Sequence, residues 1–281
     1  MRLLHTVDFT LHSFVGPEQD APHYAILSHT WDDDEVLFED MATPERMVEM
    51  ANLKAKAWKK VERSCAMARA LSFDYIWIDT LCIDKSSSAE LSEAINSMFE
   101  WYALSSVCLA YVSDYKDEGL KSGAADPTHF LKSRWFTRGW TLQELIAPAN
   151  LVFYDKDWFP IGDRRFLANA IASETSIYRK FLARANLTAV CVAAKMKWVS
   201  KRQTGRPEDK AYCILGLFNV NMPLLYGEGA EKAFIRLQEE IIKHSFDQTI
   251  LAWQEASRDS TTAEPTPMVS ASKRCSVQSS L

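Results

Sequence analysis

The sequence predicts an α/β protein in which a mainly parallel sheet, flanked by helices, is followed by a mostly helical extension. Three observations carry that expectation. Four short apolar runs, Tyr24–Ser28, Tyr75–Asp79, Val107–Ser113 and Leu151–Tyr154, lack the alternation of a half-exposed strand and read as strands buried on both faces. Helical patterns fill the gaps between them, and alternating strands and helices pack as a parallel sheet. From about Gly162 onward, apolar residues recur only at helical spacing.

After the first run, Lys54 to Leu71 reads as a helix with Ala57, Val61, Cys65, Ala68 and Leu71 as its apolar stripe. Between the second and third runs, Leu91, Ile95, Met98, Phe99 and Tyr102 recur at helical spacing, and Ser87 with Glu90 has the spacing of a capping box. In the extension, Phe166, Leu167, Ala170 and Ile171 mark one helix, and Pro207 opens another that runs through Leu217. Tyr226-Gly227-Glu228-Gly229 interrupts before a long helix ending near His244, and Thr249–Trp253 adds a last strand. Ten of the 25 residues from Ser257 to Leu281 are Ser or Thr, a composition that cannot build a core and reads as disordered. The division expected is an α/β domain over 1–160, a helical extension packed on it over 161–256, and a tail over 257–281.

With 281 residues, 47% of them hydrophobic and 25% charged, the chain is long enough to bury a core without disulfides or metal clips. A net charge of -5, with no long basic run, argues against nucleic acid as a partner. The six cysteines are too widely spaced for metal knuckles or a redox CxxC and read as reduced thiols. The N-terminus has no apolar signal core and no window is long enough for a membrane span, so a cytoplasmic location is expected.

In a parallel sheet the ligand crevice lies beyond the carboxyl ends of the strands. The residues there are polar: Ser28, His29, Thr30, Trp31 and Asp32 to Asp34 after the first run, then Asp79, Cys82, Asp84 and Lys85 after the second. The segment from Ser133 to Leu145 brings Arg134, Trp135, Arg138, Trp140 and Glu144 to the entrance of the fourth strand. Aromatic faces beside guanidinium and carboxylate groups suit a flat, charged ligand such as a nucleotide. Plainer readings stand beside this one. Thr141 and Glu144 have capping-box spacing, the tryptophans are core candidates, and the aspartate run is a solvated loop with no metal assigned. A thiol site of Cys82, His29 and Asp79 lacks a nucleophile elbow, and the Tyr226–Gly229 turn lacks the lysine of a phosphate loop.

Three segments in this order resemble the HET domain, the heterokaryon-incompatibility module of filamentous fungi. They are Tyr24-Ala25-Ile26-Leu27-Ser28-His29-Thr30-Trp31, the stretch from Tyr75 through Asp79-Thr80-Leu81-Cys82-Ile83-Asp84-Lys85, and Arg134-Trp135-Phe136-Thr137-Arg138-Gly139-Trp140-Thr141-Leu142-Gln143-Glu144-Leu145-Ile146-Ala147-Pro148. The resemblance covers about residues 1–160 and implies a part in non-self recognition and programmed cell death, with an incompatibility or signalling protein as partner. A second resemblance is to TIR domains, signalling modules of innate immunity with a flavodoxin-like fold. Trp140-Thr141-Leu142-Gln143-Glu144-Leu145 followed by Leu151-Val152-Phe153-Tyr154-Asp155 is similar to the plant TIR pattern around its catalytic glutamate. It implies a TIR-like sheet, activation by self-association, and cleavage of NAD, as substrate rather than cofactor, at the nicotinamide-ribose bond by Glu144. On that reading Ser28, His29, Trp31, Asp79, Asp84, Arg138 and Trp140 bind the substrate, with Arg138 on the pyrophosphate and Trp140 stacked on a ring. The alternative is a non-enzymatic adaptor that self-associates to trigger death.

Overall fold

The computed structural model describes residues 1–16, 20–116, 128–183 and 187–252. Seven strands form one mixed sheet in the order β2-β1-β4-β3-β5-β6-β7. Its centre is β3 (Tyr24–His29), β4 (Tyr75–Trp77), β5 (Val107–Tyr111) and β6 (Leu151–Tyr154), all mutually parallel where they pair. All six residues of β3 are buried, as a central strand covered on both faces must be. The predicted α/β class and its parallel core are therefore present.

In chain order the parallel strands lie second, first, third, fourth across the sheet, the flavodoxin-type arrangement. The chain runs one way from β3 to β4 and back over β3 to reach β5. Right-handed crossovers place the connecting helices on opposite faces. The first crossover carries α1 (Pro44–Leu53) and α2 (Ala55–Ala70), which meet at Lys54. The second carries α3 (Asp79–Cys82) and α4 (Ser88–Leu104). The switch point falls between β3 and β5, which open a crevice at their carboxyl ends.

Three strands escape the sequence reading. β1 (Arg2–His5) lies antiparallel to β4 and β2 (Leu11–Ser13) antiparallel to β1 at one edge, and β7 (Pro160–Asp163) closes the other antiparallel to β6. Each has four residues or fewer, too few for periodicity to register, and β7 starts on proline and contains Gly162, as edge strands tolerate. The second run stops as a strand at Trp77, because Asp79–Cys82 turns into α3. Leu71, expected on the α2 stripe, is 42% exposed and serves as C-cap, while Trp58 joins the buried face. Ser87 accepts the Glu90 amide at the start of α4, yet the Glu90 carboxylate pairs with Arg2 at 2.7 Å instead of completing a capping box.

Between β5 and β6 lie three short helices, α5 (Thr128–Leu131), α6 (Arg134–Thr137) and α7 (Thr141–Ile146). The helical part adds α8 (Ala168–Thr175), α9 (Arg179–Leu182), α10 (Val192–Ser200), α11 (Asp209–Tyr212), α12 (Leu215–Phe218) and α13 (Ala230–His244). The single helix expected from Pro207 through Leu217 is broken into α11 and α12. Residues 211–215 are all buried, which one face of a helix cannot achieve. Gly216 lets the second piece approach α4 closely, since a methyl there would overlap Phe99. The strand expected at Thr249–Trp253 is instead a 3-10 turn over Gln248–Ala252. Asp247 accepts the amides of Thr249 at 2.9 Å and Val192 at 2.7 Å, folding this segment onto the start of α10. Trp253 and the tail lie outside the described residues. No helix among the described residues is long and apolar enough to cross a membrane.

Candidate functional site

Glu144 sits in the middle of α7, a helix whose six residues are all buried. Two arginines fix this short helix from outside it. Arg164 gives its guanidinium to the carbonyls of Leu145 at 2.5 Å and Pro148 at 2.8 Å, capping the negative end of the helix. Arg202 donates to Arg138 O at 2.7 Å and Thr141 Oγ1 at 2.8 Å at the other end. Thr141 makes no capping box with Glu144, because its hydroxyl is shared by the carbonyls of Trp135 and Arg138.

The Glu144 side chain reaches β3. It accepts a short hydrogen bond from the Ser28 hydroxyl, whose oxygen in turn accepts Trp135 Nε1 at 2.8 Å. Burial pushes the Glu144 carboxyl up to about 8 against the Ser28 hydrogen bond, and the nearby Asp79 charge pushes the same way. At neutral pH it is mainly a neutral acid.

Glu144 lines a cavity of about 280 Å³ with His29, Trp31, Asp79, Arg138 and Trp140. Its apolar wall comes from α4, through Leu91, Ile95, Met98 and Tyr102. The Tyr102 hydroxyl donates to Leu27 O at 3.0 Å. A polar wall is ordered around Asp79, which accepts from His29 Nε2 at 2.9 Å and Trp31 Nε1 at 2.7 Å. Lys60 Nζ lies 3.0 Å from His29 Nδ1 and donates to Glu35 at 2.5 Å. An ammonium has only donors, so Nδ1 accepts and the ring proton sits on Nε2, facing Asp79. Burial alone would raise the Asp79 carboxyl, but His29, the Lys85 ammonium and the Trp31 indole hold it down at about 2. Lys85 in turn lies over the Trp31 ring at 3.9 Å.

The helical part closes the cavity. Asp209 accepts Trp140 Nε1 at 3.2 Å and the Tyr226 hydroxyl at 2.9 Å, while Arg206 lies over the Tyr226 ring at 4.2 Å. The Tyr226–Gly229 turn, whose glycines both have positive φ, is filled from within the chain. Gly227 N and Gly229 N each donate to Glu208 Oε1 at 2.9 Å.

Of the residues singled out from the sequence, His29, Trp31, Asp79, Arg138, Trp140 and Glu144 thus meet in one cavity. Ser28 lies beneath it, fully buried under Glu144, and Asp84 lies outside, its carboxylate accepting from the Ser86 amide and hydroxyl. Lys85, Arg206, Asp209 and Tyr226 also line it. Lys85 carried a local signal as part of the polar strand end, and Tyr226 only as part of the glycine turn before the long helix. Cys82 takes no part: it is buried, its thiol pushed up to about 12 by that burial, and it accepts the Ile78 amide at 3.4 Å. Among the described residues no three His, Cys, Asp or Glu side chains are grouped to hold a metal ion.

Residues 24–129 match the family model of the heterokaryon incompatibility protein (HET), and residues 232–280 match a domain of unknown function (DUF8212). Vegetative incompatibility protein HET-E-1 of Podospora anserina is 41% identical over 232 residues, which cover 81% of this chain and 17% of that protein. The chain therefore spans less than a fifth of the length of this relative, but a stretch that long within 281 residues necessarily includes Glu144. No solved structure matches. The family match begins at β3 and takes in the His29, Trp31, Asp79 and α4 walls of the cavity, and the similarity to HET-E-1 runs on through α7. By these matches the chain belongs to the HET-domain proteins.

Proposed function

We propose that this chain acts in heterokaryon incompatibility as a cell-death effector, and that it does so by cleaving NAD at the nicotinamide-ribose bond in the Glu144 cavity. The incompatibility role rests on the HET match and on the relative's vegetative incompatibility name. The observation that carries the chemistry is a buried carboxyl, raised to about 8, in a cavity walled by tryptophans, arginines and a second carboxylate. Groups with such opposed perturbations in one cleft mark candidate reactive sites.

The reaction breaks the bond from ribose C1′ to the ring nitrogen. Nicotinamide leaves with the electron pair, water adds to C1′, and its proton goes to solvent. Positive charge on the ribose is stabilised by a nearby carboxylate. Asp79 is the standing anion, and Glu144 joins it once the positive charge of the nicotinamide ring favours release of its proton to solvent. A volume of about 280 Å³ is at the small end of ligand cavities, roughly 300–1,000 Å³, and suits the nicotinamide-ribose half of the molecule. Arg138 and Arg206 then face the pyrophosphate, and Trp140 offers a ring face. In this reading the helical part is a required wall of the site, and a TIR-like sheet and activation by self-association belong to the same proposal.

The test is nicotinamide release from NAD by the purified chain across a range of protein concentrations, beside Glu144→Gln. Release by the wild type, rising per molecule with concentration and absent in the folded variant, is the expected result. Cell killing retained by Glu144→Gln, with no release at any concentration, would refute the enzymatic reading and assign the domain to an adaptor role.

A further inference from the structure

A second cavity, of about 590 Å³, opens at the same end of the sheet but against α2, the helix on the opposite face. One wall is a single helical face: Lys56, Lys59, Lys60 and Arg63 fall at i, i+3, i+4 and i+7. Like charges one turn apart repel, and such a face needs counter-charge. Two of the four find it within the protein. Lys56 pairs with Asp32 at 3.3 Å and Lys60 with Glu35 at 2.5 Å. Lys59 and Arg63, one turn apart, have no ion-pair partner among the described residues.

The facing wall is aromatic. Tyr111, from the end of β5, and Trp158, from the loop after β6, stack with centroids 4.5 Å apart and planes at 15°. The Trp158 backbone is held at φ +65°, a left-handed conformation that a bulky side chain adopts only under strain. The turn that imposes it is specific: Asp155 Oδ1 accepts the amides of Asp157 and Phe159, each at 2.9 Å, and the Tyr111 hydroxyl donates to Lys156 O at 3.1 Å. Strain of this kind is spent on placing one indole ring at a cavity wall.

We propose that this cavity is a separate binding site for a nucleoside monophosphate, whose base stacks on Trp158 and whose phosphate is held by Lys59 and Arg63. Aromatic stacking and a guanidinium-ammonium pair are the two features that ligand class needs, and here they face each other across a cavity of mononucleotide size. The exposed carboxylates of Asp33 and Asp34 at the rim suit the ribose hydroxyls. The site is independent of any chemistry at Glu144. It touches that cavity through two hydrogen bonds, because Lys60 and Arg134 line this one and their partners His29 and Trp31 line the other.

Isothermal titration calorimetry of the full chain with adenosine monophosphate, adenosine and inorganic phosphate tests the assignment. The monophosphate is expected to bind, and each half alone to bind at least about tenfold more weakly. The double variant Lys59→Ala/Arg63→Ala should weaken monophosphate binding by at least about tenfold. Both positions are exposed on a helix, where alanine keeps the fold. Arg138→Ala, which alters only the Glu144 cavity, should leave the affinity unchanged. No binding at millimolar monophosphate, binding indifferent to the double variant, or binding lost with Arg138→Ala would each overturn the proposal.

Discussion

Replacing Glu144 with glutamine should make the protein more stable, and increasingly so as the pH rises. An unfolded glutamate titrates near 4.5, whereas in the fold burial moves this one to about 8. Between those values the folded protein holds a proton that the unfolded chain has released, so stability falls as pH rises through the interval. At 1.36 kcal/mol per unit, the loss reaches ~3 kcal/mol at pH 7 and about 5 kcal/mol above pH 8. The contribution is fully present below pH 4.5 and gone above the folded value. Glutamine has the same shape and no proton to lose, so the variant lacks this slope. Urea unfolding of both proteins at pH 4, 6, 7 and 9 measures it. The gap between variant and wild type should widen by several kcal/mol from pH 4 to pH 8 and then stay level. A gap independent of pH would refute the claim that burial holds Glu144 as a neutral acid.

Other perturbations follow from the packing. Lys60→Met leaves Glu35 buried without its partner and should cost about 3–5 kcal/mol, most of it recovered when Glu35→Gln is added; urea unfolding of the cycle reads the coupling. Gly216→Ala forces a methyl onto Phe99 where α12 meets α4 and should cost about 1–3 kcal/mol in the same assay. Cys82, with its thiol near 12, should stay unalkylated by iodoacetamide in the native protein at pH 8, as mass spectrometry of digests would show; rapid native modification would restore it as a candidate nucleophile.

What could be read from the chain follows from what each element must do alone. β3, β5 and β6 are covered on both faces, and double burial writes itself as an uninterrupted apolar run such as Tyr24-Ala25-Ile26-Leu27. β1, β2 and β7 are short antiparallel strands at or next to the sheet edges whose existence depends on the partner already in place, so four residues such as Arg2–His5 carry no pattern of their own. The site divides the same way. His29, Trp31 and Asp79 were legible because parallel strands place their carboxyl ends together whatever the intervening chain does. The contact between Ser28 and Glu144 spans 116 residues, and nothing local announces it. Asp209 was hidden by its setting: an acid two residues after Pro207 reads as an ordinary helix start, yet its carboxylate clasps Trp140 and Tyr226. Asp84 failed for the converse reason. It shares a motif with Asp79, but α3 turns the chain between them.

Two of the three carboxyls that line the cavity have been driven apart, Asp79 to about 2 and Glu144 to about 8, so at pH 7 one is an anion and the other an acid. That difference makes the site a detector of positive charge. A cation seated between them favours the ionised form of Glu144 and lowers its pKa, while Asp79 has no proton left to give. Binding must then release a proton, and release must fade as the pH rises past 8, where Glu144 is already ionised. 1-Methylnicotinamide, methylated on the ring nitrogen, supplies the charged ring without a glycosidic bond to cleave. Calorimetry at pH 7 in two buffers of different ionisation enthalpy should show more than about half a proton released per cation bound by the wild type, and none by Glu144→Gln. Binding without proton release would mean that the cation does not reach Glu144, and the cavity would lose the feature on which a nicotinamide substrate was argued.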